Sequence, residues 1–457
     1  MNQWIRWNAD AAEPGWRWLA EALGMPALLV SPPRAIADIT LAASRLGEMP
    51  CEKFLALLGE DGVRQDKAGR MAHAARTTAA DRLRLRAGQV SHVPDAVLVP
   101  RNQDDLLSIL RICAQDGIAV AASSDRPHVA LNLSRMDRLL SVDFMSGLAE
   151  VEAGIASSEL ARQLAARGLW LAPDTFATLG RHVAQHNAPW LLDMKVATPQ
   201  GMTQSARKLP GIVASATVRV RALPQRTEQR HYLFPDFAGG LAALHEVERQ
   251  GIAINDAQLC DSAQTRFNAR MAQGRQGLWQ RLEDIYRQVR RLDDQAAVLT
   301  VTFSGSDTDI SAARKRFDAL AAKLSAIVRS IEEPGDHREA LLDRGVTVDS
   351  IETFATWSRL PVLYAAVRVA LDQAMREHAP RRGAHGLVLG RVCGVRHEGA
   401  QLHLSYIFPR VLGDGIAQAQ IIRDVAEKAM AGPEPGALEN QMQQAIRQLL
   451  DPRNILV

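Results

Sequence analysis

The residues best placed to recognise a ligand form a short loop, Ser123 to His128, reading SSDRPH. The loop follows the second apolar run of a strand–helix–strand pattern between Val93 and Leu140. The carboxyl end of a strand is where an open α/β sheet usually places its ligands. A loop that gathers an anion does so with backbone N–H groups, and glycine lets several of them converge. This loop has no glycine and carries Asp125 and Arg126 instead. Other chemistry-bearing signatures are missing. There is no HExxH, no GxxxxGK, no GxSxG and no paired metal-ligand spacing. Cys51, Cys113, Cys260 and Cys393 lie far apart, without a CxxC pair. That usage fits a reducing compartment and no structural zinc. His378 and His385 flank Arg381-Arg382, a composition expected of a solvated loop.

The elements that must position the loop can be read on either side of it. Ala96 to Val99 is apolar and ends at Pro100, as a buried strand does. Asn102 offers an N-cap, with Asp104 and Asp105 at the positive end of a helix. Leu106, Leu107, Ile109, Leu110 and Cys113 fall at helical spacing, and Gly117 stops the helix. Ile118 to Ala122 is the second strand. Before this unit, helices are expected from Cys51 to Leu58 and from Asp66 to Arg76, while Asp81 to Arg86 fits either a strand or a short helix end. Trp4, Trp7, Trp16 and Trp18 crowd the N-terminus, either clamping it to the body or offering a surface to a partner or lipid.

Beyond the loop, strands are expected at Val142 to Val151, Met194 to Ala197 and Val213 to Val220, with a helix from Ser157 to Gly168 and a turn at Thr198 to Gly201. A second region begins after Pro224. It has strands at Arg230 to Phe234 and Ala297 to Phe303, helices around Phe237 to Gln250 and Ser311 to Arg329, and a hairpin joining Gly386–Gly394 to Gln401–Phe408 across Arg396 to Gly399. Gly415 to Leu450 reads as helix broken at Gly432 to Gly436.

The totals set bounds on partners. The chain has 457 residues, 47% apolar and 23% charged, with net charge +3. That is enough for two or three domains, and the lack of a long basic block speaks against nucleic acid. No apolar run approaches the ~20 residues of a membrane span. The N-terminus lacks the apolar stretch of a signal peptide, so the expected location is cytoplasmic.

One long run of the sequence resembles a known family. Arg70, His73-Ala74, Asp81 to Arg86 and Pro94 to Pro100, followed by LSRMDRLLSVD, VEAGI, LARQLAARGL, ATVRV, DSIETFATWSR and LLDPRNIL, are similar to alkylglycerone-phosphate (alkyl-dihydroxyacetone-phosphate) synthase and its bacterial relatives. The resemblance covers nearly the whole chain in order. It implies the FAD-linked oxidase fold of the vanillyl-alcohol-oxidase, or PCMH, type. That fold is α+β: a PCMH-type FAD-binding domain of two α/β subdomains, with an antiparallel-sheet cap and an N-terminal helical arm. The expected boundaries are 1–90 for the arm, 91–225 for the FAD-binding domain, 226–412 for the cap and 413–457 for a C-terminal helical segment returning to the FAD-type domain. In that family FAD traps the substrate carbon covalently, without net redox, in making an ether lipid.

The resemblance also marks where cofactor contacts should lie, and where this chain departs from them. The family's first glycine-rich loop corresponds to Ala122 to Arg126, so Ser123 and Ser124 are the remnant contacts. Its second corresponds to Pro173-Asp174-Thr175 and Thr178-Leu179-Gly180, where Arg181 replaces a glycine. Its third corresponds to Ser205 to Val213, where Gly211, Ile212 and Val213 remain. Arg181, Arg207 and Lys208 either pair with phosphate or are solvated. Arg338 matches by position the family's carboxylate- or phosphate-binding arginine, or is a helix-surface arginine. His403 matches the family's proton-transfer tyrosine by position, either as a base with a pKa near neutrality or as a merely structural strand histidine. The family's histidine-rich loop has no counterpart between Arg423 and the last helix. Three altered loops together lead to the expectation of a degenerate member that has lost FAD, binds no metal, and serves as a non-catalytic homodimer or heterodimer partner of an active homologue. An active FAD-dependent enzyme and a lipid-binding module are the alternatives.

Overall fold

The computed structural model describes residues 13–74, 78–90, 93–121, 124–171, 191–206, 209–271, 295–329, 337–431 and 437–456. They belong to two compact units. The first comprises Arg34–Arg76, Gly88–Leu223 and Pro433–Val457; the second, here called the cap unit, comprises Met1–Pro33, Thr77–Ala87 and Pro224–Gly432. The first 90 residues are therefore shared between both units. The helix Gly415–Met430 belongs to the cap unit and the helix Ala437–Leu450 to the other.

The first unit contains two principal sheets. Strands β1 (Val63–Arg64), β2 (Ala96–Leu98), β3 (Ala119–Val120) and β4 (His128–Leu131) form one in the order β1-β2-β4-β3, with β2, β4 and β3 parallel. The connecting helix is Gln103–Asp116. Asn102 caps it by accepting from the Asp105 N–H, and Gly117 ends it at φ 70°. Leu106, Ile109, Leu110 and Cys113 turn inward against Phe54, Leu98, Val120 and Val129. The C-terminus is built into this sheet. Asp451 accepts from the N–H groups of Ile455 and Leu456, and Val120 donates to the Ile455 carbonyl at 2.7 Å.

The second sheet is antiparallel. Strands β5 (Leu139–Asp143) and β6 (Leu148–Glu152) form a hairpin where a single strand from Val142 to Val151 was expected. Asp143 accepts from the N–H groups of Met145 and Ser146, and Gly147 takes a left-handed φ of 64°, so the chain must turn there. After the short β7 (Leu169–Trp170) come β8 (Leu191–Thr198), β9 (Gly201–Ser205) and β10 (Ile212–Arg219), giving the order β5-β6-β10-β8-β9. A last short strand, β11 (Arg221–Ala222), pairs with β7.

The cap unit is organised on an antiparallel seven-stranded sheet. Its strands are β12 (Arg226–Phe234), β13 (Asp256–Cys260), β14 (Ala297–Gly305), β15 (Ile327–Arg329), β16 (Val346–Thr356), β17 (Leu387–Cys393) and β18 (Gly399–Pro409), ordered β15-β12-β14-β13-β17-β18-β16. Alternation along each strand gives two faces. Ile351, Val392, Leu404, Tyr406 and Leu259 enter the main core with helices Phe237–Gln250, Asp307–Lys323, Leu360–Glu377 and Gly415–Met430. On the other face Val348, Leu389 and Ile407 pack with Trp16, Leu19, Phe267 and Leu341. Trp16 is buried in this way, with Arg344 stacked 4.1 Å over its ring; Trp4 and Trp7 lie outside the described residues.

Two local expectations change. Asp81 to Arg86 is the body of a helix, Ala79–Arg86, because Thr78 and Asp81 form a reciprocal capping box. The helix expected to reach Arg329 ends at Lys323. Ser325 then takes a left-handed φ of 60°, and Ile327–Arg329 joins the sheet as an edge strand.

Candidate active site

The described part of the loop after β3 is held by Arg45. Arg45 donates from Nη1 to the Asp125 carbonyl at 2.7 Å and from Nη2 to the Arg126 carbonyl at 2.9 Å, with the Ser124 carbonyl at 3.5 Å. Its backbone N–H donates to Asp95 Oδ1 at 2.8 Å, and its Nη2 lies 3.2 Å from Asp95 Oδ2. Asp95 is almost fully buried and also accepts the His128 N–H at 2.9 Å. Burial alone would raise its pKa. The donations by the Arg45 and His128 N–H groups and the Arg45 side chain outweigh that and hold the carboxyl below its usual range. Arg126 in turn donates to the Asn454 carbonyl of the C-terminal segment. The loop thus directs carbonyls, not N–H groups, at the strongest charge beside it. A pyrophosphate needs the reverse polarity, and the described part of this loop does not fit one.

The third loop tells a similar story. Gly211 sits where any Cβ would lie 2.2 Å from Val196 Cγ1 and 2.9 Å from the Ala197 carbonyl. The close packing of β8 against β10 therefore explains this glycine without a cofactor. Ile212 and Val213 open β10, and Val213 is buried in the core of its sheet. Ser124 is the described remnant of the first loop, and its hydroxyl accepts weakly from the Arg126 N–H at 3.4 Å. Ser123, Asp174, Thr175, Thr178, Leu179 and Gly180 lie outside the described residues, as do Arg181, Arg207 and Lys208.

In the cap unit, strand register brings distant residues into one row. Glu352 pairs with His403, His403 with Arg391, and Arg391 with Cys260. All four stand on the face away from the main core. The next row places Phe354, Gln401 and Cys393 together, with the Arg396 guanidinium 5.2 Å from the Phe354 ring. Arg338 opens the helix Arg338–Asp343, whose Ala340 and Leu341 pack on this same face. Both residues singled out for catalysis are thereby brought within electrostatic reach. Burial, then the charges of Arg391 and Arg338, push the His403 imidazole down to about 3. The near-neutral base expected there is instead a neutral imidazole with little affinity for a proton.

A second buried cluster was not foreseen. Asp261 is fully buried at the end of β13, accepting from Tyr364 Oη at 2.7 Å and the Gly390 N–H at 2.9 Å, with Arg368 3.5 Å away. Burial raises the Asp261 pKa despite these donors. A Cβ on Gly390 would meet Asp261 Oδ2 at 2.6 Å, so the carboxylate needs a glycine beside it. Arg45 and Asp95 were also missed, although Asp95 lies inside a stretch that resembles the family. Their partnership spans 50 residues and has no local signature. Among the described residues no group of three or more potential metal ligands is present.

Comparison with known proteins agrees with this architecture. Residues 94–187 match the family described as FAD binding domain, and residues 223–432 match FAD linked oxidases, C-terminal domain. The chain is a member of the FAD-linked oxidase family. Within it the chain resembles alkyldihydroxyacetonephosphate synthase. It is 25% identical to that of Trypanosoma brucei brucei over 48% of this chain and 43% of the relative. It is 22% identical to that of Dictyostelium discoideum over 81% of this chain and 69% of the relative. A solved alkyldihydroxyacetonephosphate synthase superposes with a TM-score of 0.78 at 19% identity, covering 97% of this chain and 92% of that one. p-Cresol methylhydroxylase gives 0.63 at 13% identity over 91% and 98%. These likenesses establish the PCMH-type fold.

Proposed function

We propose that this chain is a degenerate FAD-linked oxidase that does not hold FAD and acts as a non-catalytic subunit, paired with itself or with an active homologue. The observation that carries the reading is Arg45. Its guanidinium is satisfied by carbonyls of residues 124–126 and by Asp95, at the loop where the family gathers phosphate. A loop presenting carbonyl oxygens repels an anionic ligand, and a cation so engaged has little attraction left to offset that. The depressed basicity of His403 supports the same reading, because a residue protonating only near pH 3 is a poor base at neutral pH. The cytoplasm is the compartment proposed; among the described residues no helix is long and apolar enough to cross a membrane.

A second reading is favoured by a different observation. Arg338, Arg391 and His403 remain clustered on the cap sheet, which suits an FAD-dependent enzyme of ether-lipid synthesis or a related oxidoreductase, or a module that binds a lipid-like anion. The visible absorption spectrum of the purified protein, before and after incubation with excess FAD and desalting, separates the readings. A protein that stays colourless supports the non-catalytic subunit; a retained flavin band overturns it.

A further inference from the structure

In the cap unit, an extended strap runs past the end of the helix Arg338–Asp343. From Leu28 to Pro33 it forms neither helix nor strand. The Leu29 N–H donates to the Arg344 carbonyl at 3.1 Å and the Ser31 N–H to the Asp343 carbonyl at 2.6 Å. The strap lies close, since a Cβ on Gly345 would meet the Leu29 Cβ at 2.9 Å. Val30 is 90% exposed, Pro32 and Pro33 are exposed, and Ser31 is half-buried. The two prolines keep the chain extended there and leave it open to another protein.

Two arginines converge on Ser31. Arg410 donates from Nη1 to the Ser31 hydroxyl at 3.0 Å and from Nη2 to the Leu342 carbonyl at 2.7 Å. Arg86 donates from Nη2 to the Ser31 carbonyl at 2.9 Å. Their charges are answered differently. Arg86 also meets the carboxylates of Glu339 and Asp343. Among the described residues the Arg410 guanidinium has neutral acceptors alone, and its Nε is buried without a hydrogen-bond partner. Burial, and then the charge of Arg86, lower its pKa. Gly415 makes room for it, because a Cβ there would meet the Arg410 Cγ at 2.5 Å. A cation placed in this way is short of an anion. The oxygen it faces belongs to a serine, a residue able to carry a dianion covalently.

We propose that Ser31 is a phosphorylation site and that Arg410, with Arg86 beside it, receives the phosphoryl group. A protein kinase would supply it from a nucleoside triphosphate. The bond from Ser31 Oγ to the γ-phosphorus forms, the bond from that phosphorus to the bridging oxygen breaks, and the nucleoside diphosphate leaves. The hydroxyl proton passes to the kinase's base. The phosphate oxygens then accept charge-assisted hydrogen bonds from Arg410. Glu339 and Asp343 oppose the new charge, but their side chains are 63% and 46% exposed against 11% for Arg86. Water therefore screens the repulsion more than the attraction. The consequence falls on the helix Arg338–Asp343, to which the strap and Arg86 are both bonded and which opens with Arg338.

The test compares the full-length protein with Ser31 phosphorylated, the modified residue being introduced during translation, and the same protein unmodified. The melting temperature is expected to rise by about 2–4 °C on phosphorylation. The rise should be absent in Arg410→Gln. Arg410→Lys keeps the charge and should keep part of the rise, so the comparison survives if Arg410→Gln does not fold. Inorganic phosphate added to Ser31→Ala is expected to change nothing. Protein isolated from its own cells is expected to carry about 80 Da of added mass, which fragmentation places on Ser31. An unchanged or lower melting temperature on phosphorylation overturns the proposal, as does an equal rise in Arg410→Gln. A rise with free phosphate on Ser31→Ala overturns it in favour of a site for a free anion, and native protein without phosphate on Ser31 overturns it outright. None of these outcomes depends on whether the protein holds flavin.

Discussion

The loop after β3 and the polar face of the cap sheet are both places where this fold gathers arginines, and they treat that charge differently. At the loop, Arg45 meets a buried carboxylate and carbonyls of three residues, so its charge is answered from within the chain. On the cap face, Arg391 and Arg338 bear on a neutral histidine, and the Arg391 Nε is buried without a hydrogen-bond partner among the described residues. A cation that is already satisfied stabilises structure, whereas a buried donor nitrogen left unpaired retains attraction for an acceptor. The first region therefore behaves as scaffold, and the second keeps an unpaired donor at Arg391.

That contrast is best broken by substitutions that test how tightly each region is built, and the largest effect should come from glycines. A Cβ on Gly154, in the first unit, would lie 1.7 Å from the Leu133 carbonyl oxygen. Backbone cannot move aside, so Gly154→Ala should cost more than the ~1–3 kcal/mol of ordinary overpacking and leave little soluble protein. In the cap, Gly390→Ala meets the Asp261 and Tyr364 side chains at 2.6 and 2.7 Å. Side chains can yield, so a loss within that range, read as a lower melting temperature, is expected. Equal losses at the two sites would show that the cap cluster is as rigid as the backbone crossing.

Next in size is Arg45→Ala. Breaking a fully buried ion pair costs about 3–5 kcal/mol; Arg45 is 37% exposed, so about 2 kcal/mol is expected at pH 7. The pH dependence follows from Asp95, whose folded pKa is depressed. Its stabilisation is present above the unfolded carboxylate range and is lost as pH falls through the folded value. The gap between wild type and Arg45→Ala should therefore be widest above the unfolded carboxylate range and narrow as pH falls through the folded value, without closing, because the carbonyls of residues 124–126 still accept from Arg45. Denaturant titrations at several pH values measure it, and a gap that stays constant or widens as pH falls would show that Asp95 is not the titrating partner of Arg45.

How much of this could be read in advance depended on locality. The cap hairpin, the helix Phe237–Gln250 and the capped helix after β2 followed from periodicity and from terminal signals such as Asn102 and Gly117. The missing glycines of the first loop were visible, but the residue that ties the loop down instead was not. Arg45 lies 80 residues from Asp125, and nothing in SRLGEMP says where its guanidinium points. Likewise His403 and Arg338 could be located by resemblance, while the basicity of His403 depends on burial and on Arg391 in a neighbouring strand.

A smaller effect should appear at Asp261. Burial raises its pKa above the unfolded value, so the stability linked to this group is full below the unfolded carboxylate pKa and falls as pH rises through the folded one. Asp261→Asn removes that slope, and its stability should decline less than wild type between pH 4 and 7. The variant still loses an acceptor for Tyr364 and the Gly390 N–H, so it should be less stable overall while being flatter with pH. A steeper slope in the variant would place the titrating group elsewhere.

The smallest expected change is also the one that speaks most directly to the cap face. With a pKa near 3, His403 should remain neutral across the range in which an ordinary histidine titrates, about pH 5.5 to 7.5. Its imidazole resonances, assigned with His403→Gln, should not move between pH 5 and 8. Arg391→Met removes one of the two charges that oppose protonation, so the pKa should rise; burial, the larger cause, remains and keeps it below the ordinary value. If His403 titrates near 6.5 in the wild type, the cap face is wetter than its strand register implies, and a proton-transfer role for that histidine regains its footing.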